Sequence, residues 1–130
     1  MATAANLVLA DGQATPVNAT FSVESITPQL SQFVDRASGV AAKYRRISVS
    51  YVPANVATKK TKAGLKISIP VWGILPSGSE GVLRTLRSNV ELDEPDGCTD
   101  AERKDLFAFT VNALANTLVK GALRDNDPIY

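Results

Sequence analysis

Polar and apolar residues alternate most regularly between Arg45 and Pro70. In RRISVSY, Ile47, Val49 and Tyr51 alternate with Arg46, Ser48 and Ser50, a period of two that predicts a strand with one apolar and one polar face. Further on, Ala63, Leu65, Ile67 and Ile69 alternate with Lys62, Gly64, Lys66 and Ser68. Pro70 is expected to end that strand because it has no backbone N–H to donate. If the segment 52–61 folds these two runs into an antiparallel pair, Arg46, Ser48, Ser50, Lys62 and Lys66 become neighbours on one surface. A third run, Val82 to Asp93, sets Leu86, Val90 and Leu92 against Thr85, Arg87, Asn89 and Glu91 and extends that polar face.

The flanking patterns supply the remaining elements. Asn6 to Ala10 and Gln13 to Ser22 bracket Asp11 and Gly12, a dipeptide suited to a type I′ hairpin turn. Gln29 to Asp35 fits a short strand or a helical turn equally well. Beyond Pro70, VWGILPSGSEG is punctuated by Gly73, Pro76, Gly78 and Gly81, which predicts a loop over 71–81 exposing Trp72, Ile74 and Leu75. A contiguous exposed apolar segment of this kind marks an interaction site. Thr99 and Glu102 have capping-box spacing, so a helix is expected from Asp100. Phe107, Val111, Leu114, Leu118 and Ala122 then predict an apolar stripe, widened by Leu106, Ala113 and Val119, on a long helix bent near Asn116 to Leu118 that lies across a sheet. Ile129 and Tyr130 end a polar tail and either dangle or dock. The order predicts one antiparallel α+β domain over 1–130, with a hairpin in 1–24, a sheet in 29–93 and helices in 99–124.

Composition changes the picture through what is missing and through where charge lies. The 130 residues are 45% apolar and carry a net charge of +1. That charge hides a division: residues 43–87 hold nine Lys or Arg and one acid, Glu80, whereas residues 88–130 hold nine acids and four bases. The first region suits a polyanion. With no His and one Cys, Cys98, an intrachain disulfide and a His-based or Cys-rich metal site are excluded. Neither a nucleophile elbow nor a phosphate loop is present, so no catalysis, cofactor, metal or small-molecule substrate is expected. Glu91, Asp93, Glu94 and Asp96 read as a solvated turn rather than a cation site. The opening MATAANLVLADG has no basic n-region and too short an apolar run for a signal peptide or a membrane span, which leads us to expect a soluble intracellular protein.

Charged residues on the wet side of a half-buried sheet are ordinary. Here they are interleaved with Ser, Thr and Asn, which can hydrogen-bond phosphates, sugars and bases, and few acids share the pattern. Candidate RNA contacts by alternation are Arg46, Ser48, Ser50, Lys62, Lys66, Thr85, Arg87 and Asn89. With only Tyr51 and Trp72 nearby for stacking, this is no ribonucleoprotein-motif surface.

NLVLADGQATPVNATF, RRISVSY followed by KAGLKISIPV, RSNVELDEP, TDAERKDLF and the ending Pro128, Ile129, Tyr130 together resemble the coat proteins of small single-stranded RNA bacteriophages, the levivirus family, over nearly the whole chain. The resemblance implies an N-terminal hairpin, a five-stranded antiparallel sheet and C-terminal helices that cross onto the partner of a homodimer. It further implies a T=3 icosahedral capsid, a virion location with assembly in the bacterial cytoplasm, and the phage genomic RNA as partner. A dimer would hold a genomic stem-loop on the inner sheet face and repress replicase translation. Carried over by position, RNA contacts fall on Ser48, Ser50, Lys60, Lys62, Lys66, Arg87 and Asn89, and Arg87 stands where some relatives place a stacking aromatic. Trp72, Gly73, Ile74, Leu75 and Pro76 take the place of the assembly loop around the shell's axes. The alternative is a small dimeric cytoplasmic RNA-binding regulator that forms no shell.

Overall fold

Each alternating run between Leu7 and Pro95 becomes a strand in the computed structural model, which describes residues 5–129. The strands are β1 (Leu7–Ala10), β2 (Asn18–Ile26), β3 (Leu30–Asp35), β4 (Arg45–Val52), β5 (Lys60–Ile74) and β6 (Glu80–Pro95). They lie in one antiparallel sheet in chain order. The count is six rather than five because β2 pairs with β1 on one side and β3 on the other, so the hairpin continues into the sheet. Gln29 to Asp35 resolves as strand. Two helices follow, α1 (Asp100–Ala115) and α2 (Thr117–Arg124). Tyr130 and the first four residues of the expected hairpin region lie outside the described residues.

The core sits on the apolar face of β2, β3 and β4. Phe21, Phe33 and Ile47 are buried there, with Leu7, Ala19, Val23 and Ile67 packed against them. Asp35 and Arg45 close its rim. Arg45 donates from Nε to Asp35 at 2.9 Å, a second guanidinium nitrogen bonds the same oxygen, and the guanidinium lies 5.8 Å from the centre of the Phe21 ring. Burial works to raise the Asp35 pKa, but Arg45 and the Ala37 N–H together hold it below the ordinary 3.8.

Three local expectations need correction. The hairpin turn is not a two-residue type I′ turn: β1 ends at Ala10 and β2 begins at Asn18. Instead the Asp11 carboxylate accepts from the Gln13 and Val17 N–H groups at 3.2 and 3.1 Å, closing a wider loop. Pro16 favours this because it cannot donate to a ladder. Pro70, for its part, does not stop β5, which runs on to Ile74 with Pro70 opposite Thr85. β4 pairs no further than Ser68, so beyond it a nitrogen facing the vacated side loses no ladder bond.

The expected loop over 71–81 is mostly strand. Trp72, Gly73 and Ile74 pair with Val82, Gly81 and Glu80, and only Leu75 to Ser79 turn, with Gly78 at φ 88°. A bulge at Leu83 lays its side chain where a Cβ on Gly73 would stand, and Leu75 does the same at Gly81. This packing closes the tip. Trp72 is half-buried, its ring 4.9 Å from Lys43 Nζ and its indole N–H buried without a partner, and Leu75 is half-buried, so Ile74 alone, 71% exposed, projects as expected.

The capping box forms as expected. Thr99 Oγ1 accepts from the Glu102 N–H and the Glu102 carboxylate accepts from the Thr99 N–H, both at 3.2 Å. At Asn116 the backbone turns extended and its side chain caps Leu118, so α1 and α2 meet at 67°. The apolar stripe is not one-sided. At 100° per residue Phe107 and Phe109 project from nearly opposite sides of α1, and both are exposed, as are Leu106, Leu114 and Leu118. Neither helix has a buried residue, so within one chain the helices do not lie across the sheet as expected. No single helix among the described residues is long and apolar enough to cross a membrane.

Candidate nucleic-acid interface

The register carries the polar residues of four strands into rows. Gln32 of β3 faces Ser48 of β4, Ser48 faces Lys66 of β5, and Lys66 faces Asn89 of β6. Beside this row run Arg46, Ser68 and Arg87 on one flank and Ser50, Gly64 and Glu91 on the other. Neighbouring strands lie about 4.8 Å apart, so each row is a line of groups at a spacing a polynucleotide backbone can follow. The first two rows line an open cleft of about 440 Å³. Gly64 has a local role: a Cβ there would stand 2.8 Å from Ser50 Oγ, so glycine leaves room for the hydroxyl to lie across the strand.

Acids trim the basic face more than alternation suggests. A bulge between Val23 and Ser25 leaves Glu24 unpaired in the ladder, and its carboxylate accepts two bonds from Arg46 at 2.8 and 2.7 Å. Lys62 stands opposite Asp93 and 3.7 Å from Glu91. Lys66 and Arg87 form no ion pair among the described residues. These two are therefore the cations best placed to attract phosphate.

Ser48, Lys66, Arg87 and Asn89 come together, with Ser50 adjoining. Lys60 does not join them: six residues along β5 from Lys66 it stands about 20 Å away, opposite Pro95. Thr85, four residues from Asn89 and opposite Pro70, lies about 13 Å from it along the strand. Gln32 belongs to the surface but escaped the sequence reading, because β3 is too short and too mixed to announce which side faces β4. Glu24 escaped because a bulge cannot be read from alternation. No group of three or more acidic, Cys or His residues suited to a metal occurs among the described residues.

A family model described as levivirus coat protein matches residues 2–130. The chain belongs to the levivirus coat protein family. Among solved structures, the virus-like particle of bacteriophage ESE058 is 26% identical with a TM-score of 0.87, covering 99% of this chain and 100% of that one. The virus-like particle of bacteriophage NT-214 is 29% identical with a TM-score of 0.85 at the same coverage. The capsid protein of bacteriophage GA, at 15% identity, a TM-score of 0.69 and 96% coverage of each chain, shares the fold. No curated protein sequence matches. This coat protein is thus a structural component of a levivirus-type capsid, and its place is the virion.

Proposed function

We propose that the coat protein works as a two-fold dimer whose subunits join β6 to β6 in one continuous sheet, each laying α1 and α2 across its partner. Such dimers close into a T=3 icosahedral shell with the polar face inward on the phage's genomic RNA, and capture of a genomic stem-loop by one dimer represses replicase translation. One observation carries this reading. The chain exposes 9771 Å², whereas a compact monomer of 13.8 kDa exposes about 6,600 Å². The excess, roughly 3,100 Å² per chain or about 6,200 Å² for a pair, is enough for the largest obligate subunit interfaces, which cover about 5,000 Å² or more over both partners, and it is apolar where a partner is required. Tyr51, Leu65, Ile69 and Leu86 on the sheet and Phe107, Phe109, Leu114 and Leu118 on the helices are exposed in one chain.

The RNA part rests on the row from Gln32 to Asn89 and on the charges of Lys66 and Arg87, neither of which is paired among the described residues of one chain. Each phosphate neutralised by these cations releases counterions, so their contribution falls steeply with salt. Ser48, Ser50 and Asn89 donate and accept at base edges or 2′-hydroxyls and read sequence instead. Electron microscopy of recombinant particles, with RNA binding by dimers of Lys66→Ala, Arg87→Ala and Asn89→Ala over a salt series, tests both parts. We expect uniform shells, a flattened salt dependence that is larger for Lys66→Ala than for Arg87→Ala, and for Asn89→Ala a narrowed gap between cognate and random RNA. Dimers without particles would favour the regulator; variants that all bind like the parent would remove the RNA role.

A further inference from the structure

The outer edge of β6 has sixteen residues and no neighbour among the described strands, and its charge pattern specifies how a second copy meets it. This inference rests on the edge-to-edge dimer proposed above and fixes its register. We propose that the two-fold axis passes beside Asn89, so that Asn89 faces the partner's Asn89.

The symmetry restricts the choices. In a continuous antiparallel sheet directly opposed side chains share a face and alternate residues change face. Two opposed β6 residues must therefore have numbers of the same parity, and the axis must pass at a single residue. With the axis at Arg87 two arginines oppose one another, and at Glu91 two glutamates do; like charges directly opposed destabilise a sheet. At Ser88, Arg84 faces Leu92 and Arg87 faces Asn89, so no charge is matched. At Val90, Arg87 meets Asp93, but Leu86 is set against Glu94. At Asn89, Arg87 meets the partner's Glu91 on the polar face, Arg84 meets the partner's Glu94 on the other face, and Leu86 meets the partner's Leu92. Two-fold symmetry makes each pairing twice. Arg84, Leu86, Arg87, Asn89 and Glu91 are all exposed along this edge in one chain. Glu91 then sits between Lys62, 3.7 Å away, and the partner's Arg87. Exposed ion pairs contribute little to affinity but discriminate strongly between registers, which is the task here.

The register has a consequence for the polar face. The row Gln32, Ser48, Lys66, Asn89 continues through the axis into the partner's Asn89, Lys66, Ser48 and Gln32. Eight polar groups then cross the dimer in one line about 34 Å long, with a lysine on each side of the axis and two carboxamides on it. The centre of the RNA surface is thereby neutral and hydrogen-bonding; Arg87, shared with the partner's Glu91, attracts phosphate less than it would in one chain, and the free charge of Lys66 stands one strand out.

Cysteine crosslinking tests the register in a Cys98→Ser background. Directly opposed residues have Cα atoms about 4.5 to 5.5 Å apart, within disulfide reach, whereas diagonal neighbours at about 7 to 8 Å lie beyond it. Under a mild thiol oxidant, Asn89→Cys should crosslink nearly completely to covalent dimer, and Ser88→Cys and Val90→Cys should not. Dimers that crosslink through Ser88→Cys or Val90→Cys and not through Asn89→Cys would overturn the register while leaving the edge-to-edge dimer standing. Failure of all three, with the background protein monomeric in sedimentation, would instead overturn the dimer itself. Failure of all three in a protein that still sediments as a dimer places the interface elsewhere and overturns the register with it. As a second reading, Arg87→Glu should raise the dimer dissociation constant by about tenfold or more, and Arg87→Glu combined with Glu91→Arg should return it towards the parent's. A double variant no better than the singles would also count against the register.

Discussion

Replacing Phe109 by alanine separates what holds one chain together from what holds two. The ring is 72% exposed in the single chain, so its removal should leave the subunit's own stability within about 0.5 kcal/mol of the parent. In the proposed dimer α1 lies against the partner, and covering a phenyl side chain is worth about 2 kcal/mol more than covering alanine. Two-fold symmetry counts the loss twice, giving about 4 kcal/mol, or roughly a thousandfold in the dimer dissociation constant. Sedimentation equilibrium over a concentration series reads that constant, and circular dichroism at each concentration confirms that the subunit stays folded. Phe33→Ala is the counterpart: at 7% exposure its loss should cost the fold itself about 3 to 5 kcal/mol. A Phe109→Ala dimer that dissociates within threefold of the parent would refute the crossing of α1 onto a partner, because no other surface then accounts for the apolar second side of the helix.

Asp35 should make the subunit acid-sensitive. Its folded pKa lies below 3.8, so the stability it contributes is fully present above that value and is lost as pH falls through the lowered folded value. Asp35→Asn should cost roughly 2 kcal/mol at pH 7, and urea unfolding at pH 7, 5 and 3 should show the gap to the parent unchanged from 7 to 5 and narrowing below 3.8. At the β5–β6 tip, Gly73→Ala should force Leu83 out of its place and alter particle size or yield in electron microscopy while dimers sediment normally. Deleting Ile74 to Ser79 should likewise leave soluble dimers; shells like the parent's from that deletion would free the tip from any part in assembly.

β4, β5 as far as Pro70 and β6 from Thr85 onward were legible because polar and apolar residues largely alternate there and because each polar face repeats the chemistry of its neighbour. That alternation puts Ser48, Lys66 and Asn89 on one face, whereas the register that aligns Ser48 with Lys66 and Lys66 with Asn89 depends also on the connections between the strands. What hid was decided by single side chains acting out of pattern. Asp11 ties a wide loop that looks like a tight turn, Glu24 leaves the ladder to reach Arg46, and Leu83 bulges over Gly73 to turn an expected loop into strand. The helix misled for another reason. Phe109 breaks a one-sided stripe, and nothing among the described residues of one chain covers that second apolar side.

Strand order that repeats chain order has a consequence in time as well as in space. Every pairing in the sheet joins segments adjacent along the chain, so contact order is low and each strand can dock on its predecessor as it leaves the ribosome. The helices follow the whole sheet and find nothing among the described residues to bury them. A nascent subunit can therefore finish its sheet alone and, in the dimer proposed above, offers its β6 edge before the helices that clasp a partner have been made. Under that proposal a chain cut short before α1 should dimerise only weakly, which would keep it out of a shell in which one defective copy touches many sound ones.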